Sequence, residues 1–562
     1  MNLRSRLWKR LQAPWLAKSF LFFIPALAAG MILLLDVLAH TGPGTEPALT
    51  PWQGHGILFI LFALGFLSPV FAQRLVSFRP RNYYILAFGL LSIYALMGQG
   101  GTFYSDDAIR HELDGHYIVR GLPLYCMSPL ELGPVGGEAL VQTDSGSAYL
   151  MGTGPGRLPN HPHLATIYFP GTQLMAFLGA LGPGYRFLFA FSSLMMMAIL
   201  LFFRPASHGQ SGGAASVAGR DDRSGTLLIT LFAHPFWMIL YFSGHSDVTA
   251  ILLCLLALKW MGSAYGRILA GMAWALACSM KPEAALVGLS FLVSWPSLRS
   301  DLAASIRRGA PFLVGVLLIL SLLVPFTLFD LFHLQSWKEL RYFSTQEGSS
   351  LEIECFFYTA RIYSDQFLSY RPDAVWLTME GPLNSREAIR LVRMLLLPAW
   401  SVLGLRFIPG LHRCWKDGAE ARFGETEAAV SSSDGSGLKP MPGYPIRQLF
   451  LYLLIGYFLY RGSWQPWYFL WFILAPGIWF FRDRKESETG VEPPGANNTG
   501  RIWPAFFLSL LILFYLPLAN YRVDGRFDLS FFYTSFLLAL LVVPVLYFYG
   551  FRRTSGRKTK KD

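Results

Sequence analysis

The chain is written in blocks. Apolar runs such as SFLFFIPALAAGMILLLDVLA, GILFILFALGFLSPVFA and YYILAFGLLSIYALMG alternate with polar connectors along most of its length. Many of these runs approach the ~20 residues that carry a helix across ~30 Å of hydrocarbon. A large soluble helical domain would instead show amphipathic stripes, apolar on one side only. Composition agrees with the blocks: 53% of the 562 residues are hydrophobic and only 15% are charged, where soluble domains carry about 25% charged residues. The expected fold class is an all-α polytopic membrane protein.

A net charge of +12 raises the question of nucleic acid, but the distribution of the basic residues answers it. They cluster in short connectors: MNLRSRLWKR, RLVSFRPR, SLRSDLAASIRRG, FRDRK and the tail FRRTSGRKTKKD. That is the positive-inside pattern of cytoplasmic loops. No long basic stripe or polar aromatic groove suggests a nucleic-acid partner. The first apolar block has the length of a span and no small-residue cleavage site after it, so no removable signal is expected. Spans are expected near 19–39, 54–73, 83–99, 185–203, 225–242, 247–262, 267–280, 283–296, 310–329, 388–408, 447–462, 466–481, 503–519 and 528–550. This gives about fourteen spans (a range of roughly 12–15), with both termini inside.

The layout divides the chain into an N-terminal membrane segment, 1–82, and a core, 83–329, whose first outer loop is 100–184. A second outer loop, 330–387, the C-terminal spans, 388–550, and a basic tail, 551–562, follow. The apolar block 166–182 is interrupted by Pro170, Gly171, Gly179 and Gly182. Reading it as a helix lying on or dipping into the outer face keeps the basic loops inside. Cys126 and Cys355 both fall in outer loops, where a disulfide is chemically allowed.

The first outer loop opens with YSDDAIRHELDGHYIVRGLPLY, a polar stretch beside an oily wall. Continued as a helix, it places Asp107, Arg110, His111 and Asp114 on one face, with Asp106 and Arg110 as an i, i+4 pair. The bland interpretation is an acidic cap and a solvated face. The sequence Gly121-Leu-Pro-Leu-Tyr125 should end that helix sharply. Three further patches reach the same side: GHSD at Gly244–Asp247, the turn Lys281-Pro282-Glu283, and RGSWQPWY at Arg461–Tyr468. Each alone has an ordinary explanation, such as a snorkelling lysine or an interfacial aromatic belt. Together they put carboxylates, cations and an imidazole at one end of one bundle.

A transporter wants polar groups at mid-membrane on broken helices, and a channel wants rings of like residues. Group transfer from a lipid-linked phosphosugar fits better. The tail needs an apolar groove, the phosphate needs Lys or Arg, and the acceptor hydroxyl needs a carboxylate to take its proton.

These motifs resemble those of the integral-membrane glycosyltransferases of the GT-C fold, specifically the polyprenyl-phosphate-mannose-dependent mannosyltransferases. The family pattern S-D-D-x-x-R-Y-x-x-D-G is similar to SDDAIRHELDG here, with His111 in place of the tyrosine. The segment NHPHLATIYFP at Asn160–Pro170 resembles N-H-P-x-x-x-T-I-Y-P-P, and GHSD resembles G-H-N-D. Lys281-Pro282 and Pro466-Trp467-Tyr468 match a K-P turn and a P-W-Y motif.

The resemblance implies a GT-C-like bundle with juxtamembrane helices in the first loop. It also implies a first-loop carboxylate as catalytic base, Asp106 or Asp107. Lys281 and Arg461 are the candidates for the donor phosphate. Arg110, His111, Asp114, His161, Tyr168, His245, Asp247, Trp464, Trp467 and Tyr468 are candidates for orienting sugar, acceptor or loop. Expected partners are a polyprenyl-phosphate sugar donor, a lipid, glycan or protein acceptor, and membrane lipids, with no nucleic acid. No cofactor is assigned. The carboxylates could hold a divalent metal, although no cluster of hard oxygen ligands stands out. The expected activity is inverting transfer of a hexose, mannose favoured, at the non-cytoplasmic face of the cell membrane, or of the endoplasmic reticulum in a eukaryote. A flippase for a lipid-linked saccharide is the alternative.

Overall fold

The structure is a computed structural model. It describes residues 23, 26–34, 51–72, 107–122, 124–125, 127, 129–132, 139–142, 148–151, 166, 168–182, 184–202, 234–242, 244–261, 264–293, 302–332, 398, 400–402, 404, 449–457 and 470–472. Among these residues the architecture is predominantly helical. In chain order the elements are α1 (Pro51–Ala72), α2 (Asp107–Val119), α3 (Pro129–Leu132), β1 (Ala139–Gln142), β2 (Ala148–Met151), α4 (Pro170–Leu181), α5 (Tyr185–Phe202) and α6 (Pro235–Phe242). They continue with α7 (Ser246–Trp260), α8 (Ala264–Met280), α9 (Ala284–Val293) and α10 (Leu302–Phe332). β1 and β2 form a small antiparallel hairpin, with Ala139 opposite Met151 and Gln142 opposite Ala148. The hairpin is the described exception to an all-α chain.

Helices occupy the apolar blocks, where a helix pairs the backbone N–H and C=O groups of a run within the run itself. The blocks 54–73, 185–203, 247–262, 267–280, 283–296 and 310–329 correspond to α1, α5, α7, α8, α9 and α10. α4 begins at Pro170, which sits at the N-terminal end where a missing N–H costs nothing. The proline that interrupts the block in sequence is therefore the helix start. Among the described residues no single helix is long and apolar enough to cross a membrane; α4 and the stretch Tyr185–Leu200 pass that test only as a bent pair. The count of about fourteen spans stays a reading of the sequence.

The chain forms two compact units. One comprises Met1–Ala108, Arg186–Val248 and Pro493–Asp562, the other Ile109–Tyr185 and Thr249–Glu492. In the first unit α6 packs on α1, and Phe236, Trp237, Met238, Ile239 and Leu240 are all buried. In the second unit α8 and α10 run side by side, and α4 packs against both. The α8–α10 contact is close because two glycines face each other's backbone. A Cβ on Gly271 would meet the Phe312 carbonyl, and one on Gly315 would meet that of Ile268. Small residues let helix axes approach in this way. Trp274 fills the wedge between α8 and α9: its indole N–H donates to the Ala284 carbonyl at 2.9 Å, and its ring lies where a Cβ on Gly288 would be.

Candidate functional site

The polar stretch of the first loop folds as expected into a helix, α2, and ends where expected. Arg120 and Gly121 close the last turn, the Gly121 N–H donating to Ile118 at 2.9 Å with φ 71°. The solvated face of the bland interpretation is not what α2 presents at Arg110, His111 and Asp114. Arg110 and His111 are buried, and Asp114 has 0% exposure. The i, i+4 partner of Arg110 within α2 is Asp114, with Nε to Oδ1 at 3.0 Å. Asp106, the i, i+4 partner expected from the sequence, lies outside the described residues.

Asp114 is the centre of a buried network in the second unit. Its Oδ2 accepts from the Thr166 hydroxyl at 2.5 Å and from Gln173 Nε2 at 2.8 Å. Gln173 Nε2 also lies 2.9 Å from Thr166 Oγ1, which closes a ring of three side chains. With Arg110, three donors converge on two oxygens, an arrangement that suits an ionised carboxylate, which only accepts. Next to it, Gly115 lies against the Ala176 carbonyl of α4, leaving no room for a Cβ. The segment before α4 is pinned to the end of the α2 turn: the Thr166 N–H donates to Leu124 at 3.1 Å, and the Tyr125 hydroxyl donates to the Tyr168 carbonyl at 3.0 Å.

His111 stands in an aromatic cluster, its ring centroid 4.1 Å from that of Tyr168 and 4.6 Å from that of Tyr185. Close by, burial pushes the Tyr117 phenol up to about 12, against the opposing pull of Arg110.

In the first unit, two motifs distant in sequence meet. His245 Nδ1 lies 3.0 Å from Asp107 Oδ2, with the imidazole buried and the carboxylate side chain 30% exposed. Local structure explains both placements. Asp107 occupies the first turn of α2, where the helix dipole favours a negative charge. Gly244, at φ 67°, turns the chain from α6 so that His245 directly precedes α7. A left-handed residue costs glycine little. Asp247, in the first turn of α7, is fully buried.

Lys281 forms the tight turn between α8 and α9. Its N–H donates to Ala277 at 2.9 Å and its carbonyl accepts from Ala284 at 3.2 Å. Glu283 in the same turn has 0% exposure. A Cβ on Gly171, at the start of α4, would meet the hydroxyl and carbonyl of Ser279 just before this turn.

The structure thus joins Asp107 to His245, Arg110 to Asp114 and His111 to Tyr168. Asp106, His161, Arg461, Trp464, Trp467 and Tyr468 lie outside the described residues, as do Cys126 and Cys355. Gln173, Thr166 and buried Glu283 enter as polar residues that the sequence reading did not assign. For Gln173 a signal existed: a long amide in the apolar run PGTQLMAFLGAL needs a partner once buried. Among the described residues no three His, Cys, Asp or Glu side chains gather into a metal site. Neither family models, curated proteins nor solved structures offer a match to this chain.

Proposed function

We propose that this protein is an integral-membrane glycosyltransferase with a GT-C-like bundle of about fourteen spans. It moves a hexose, mannose favoured, from a polyprenyl-phosphate donor to a lipid, glycan or protein acceptor at the non-cytoplasmic face. The observation that carries this reading is the 3.0 Å approach of His245 Nδ1 to Asp107 Oδ2. A carboxylate that takes a proton from an acceptor hydroxyl needs both access and a fixed orientation. Asp107 has partial exposure and an imidazole partner, and Asp106 shares the candidacy as its neighbour in the chain. A membrane setting is supported by α10, where Leu313, Leu317, Leu318, Leu320 and Leu322 are about half exposed. Bare leucines in such number fit lipid better than water.

In the proposed reaction the acceptor oxygen attacks the anomeric carbon as its proton passes to the aspartate carboxylate. The bond from the anomeric carbon to the phosphate oxygen breaks, and polyprenyl phosphate leaves with the electron pair. A single displacement inverts the anomeric centre. Lys281 and Arg461 are assigned to the leaving phosphate, whose growing charge they stabilise more in the transition state than in the ground state.

The test is purified protein in nanodiscs, incubated with a panel of polyprenyl phosphosugars and acceptors. One donor should be consumed. The Asp106→Asn/Asp107→Asn double variant should still bind it while turnover drops by ~10²–10⁴-fold. Undiminished transfer by that variant would remove the base assignment, and movement of the donor across the bilayer without transfer would replace the enzyme by a flippase.

A further inference from the structure

We infer that Thr166 and Gln173 are positioning residues, acting through Asp114 to lock the motif helix α2 against α4. The lock stands on geometry alone; its consequence for turnover rests on the transferase reading above. Asp114 itself has no exposure. Both of its oxygens are engaged, Oδ1 by Arg110 Nε and Oδ2 by Thr166 Oγ1 and Gln173 Nε2. A carboxylate so enclosed does not reach a sugar hydroxyl. Its work is to hold three side chains, from α2, α4 and the segment before α4, in one arrangement.

Three features make this a lock of defined geometry. First, the bonds are directional and involve a charged acceptor, so they are short and geometrically exacting. Second, Gly115 on the next residue brings the α2 backbone against the Ala176 carbonyl, so α2 cannot slide along α4 without opening that contact. Third, Thr166 and Tyr168 are tied by backbone and side chain to Leu124 and Tyr125, beyond the other end of α2. Arg110 is thereby held through Asp114, and with it the orientation of the helix whose first residue is Asp107. Gln173 supplies what no apolar side chain at this position could: an amide donor shared between a carboxylate and a hydroxyl.

The inference is tested by exchanging the partners. Gln173→Glu alone sets two carboxylates face to face, and Asp114→Asn alone turns an amide N–H₂ toward existing donors. The double variant Asp114→Asn/Gln173→Glu restores complementarity with the same net charge. The amide oxygen introduced at position 114 then accepts from Arg110, and the amide N–H₂ beside it donates to the new carboxylate, which also accepts from Thr166. Hydrogen exchange across residues 107–119 of the full-length protein in nanodiscs is the readout that needs no activity. Each single change should speed exchange there by at least about tenfold, and the double should return it toward wild type. Thr166→Val, which removes one donor and keeps the shape, provides a milder variant should the others fail to fold.

On the donor found for the wild type, the single variants should lose kcat by about 10²-fold with KM little changed, and the swap should recover it. Unchanged exchange in the folded single variants, or a swap that behaves as the sum of its parts, overturns the lock. If exchange follows the lock while the wild type consumes no donor, the lock stands and the transferase reading falls.

Discussion

Asp107 and Asp114 sit on one helix, two turns apart, and the structure treats them as different chemical objects. Asp107 opens α2 with 30% of its side chain exposed and one imidazole at 3.0 Å. Asp114 is wholly buried, with a guanidinium, a hydroxyl and an amide around it. A carboxylate saturated with donors stores its interaction energy in the fold. One that is partly open, with an imidazole beside it, stays within reach of a hydroxyl arriving from solvent. In the proposed transferase the same residue type divides into a chemical role and an architectural role, and the division follows from the access each carboxylate has to solvent.

The largest effect that could break this contrast concerns Asp107. Asp107→Asn should lower transfer by ~10²–10⁴-fold while thermal unfolding of the purified protein stays near wild type. Retained turnover, or a collapse in stability, would dissolve the distinction. Asp114→Ala should do the opposite. Stranding Arg110 and two further donors in the interior should cost about 3–5 kcal/mol, visible as a lower denaturant midpoint. A stable Asp114→Ala protein would remove the lock.

A sharper, smaller test lies next to it. Gly115→Ala puts a methyl group into the Ala176 carbonyl, and Gly271→Ala does the same against Phe312. Each should destabilise by about 1–3 kcal/mol, and the two should add, since they fall in different contacts. Equal stability for Gly115→Ala would mean that α2 and α4 are less tightly apposed than described.

The smallest expected effect is alkaline. Burial raises the Tyr117 phenol from 10.0 to about 12. The folded state therefore prefers the protonated ring more than the unfolded chain does. Its contribution is complete below pH 10 and is lost as pH rises through about 12. Stability should decline across that window, and Tyr117→Phe should flatten the decline. An identical alkaline profile for the variant would place the titration elsewhere.

Much of the helical skeleton is legible one segment at a time. The block 185–203 is α5, Tyr185–Phe202, and 267–280 is α8, Ala264–Met280, because apolar runs of that length exceed an ordinary strand and pair their own backbone as helices. The shared face of Asp107, Arg110, His111 and Asp114 follows from helical period alone. What lies opposite that face does not. The sequence reading paired Arg110 with Asp106, whereas within α2 its guanidinium meets Asp114, and nothing in the string pointed to burial. Thr166 and Gln173 become partners of Asp114 only because α4 meets α2 at the point where Gly115 admits the Ala176 carbonyl. The proline and glycines that interrupt the apolar block 166–182 are the start of α4 and its close contacts.

Sequence by itself determined where helices form, which polar residues share a face, and that GHSD and the first-loop aspartates belong among the candidates. Periodicity and hydropathy are local properties, readable within a dozen residues. Tertiary structure alone decided that His245 meets Asp107 and that Asp114 is enclosed. Pairing and desolvation depend on which distant backbone arrives at a given side chain, and that is settled by packing.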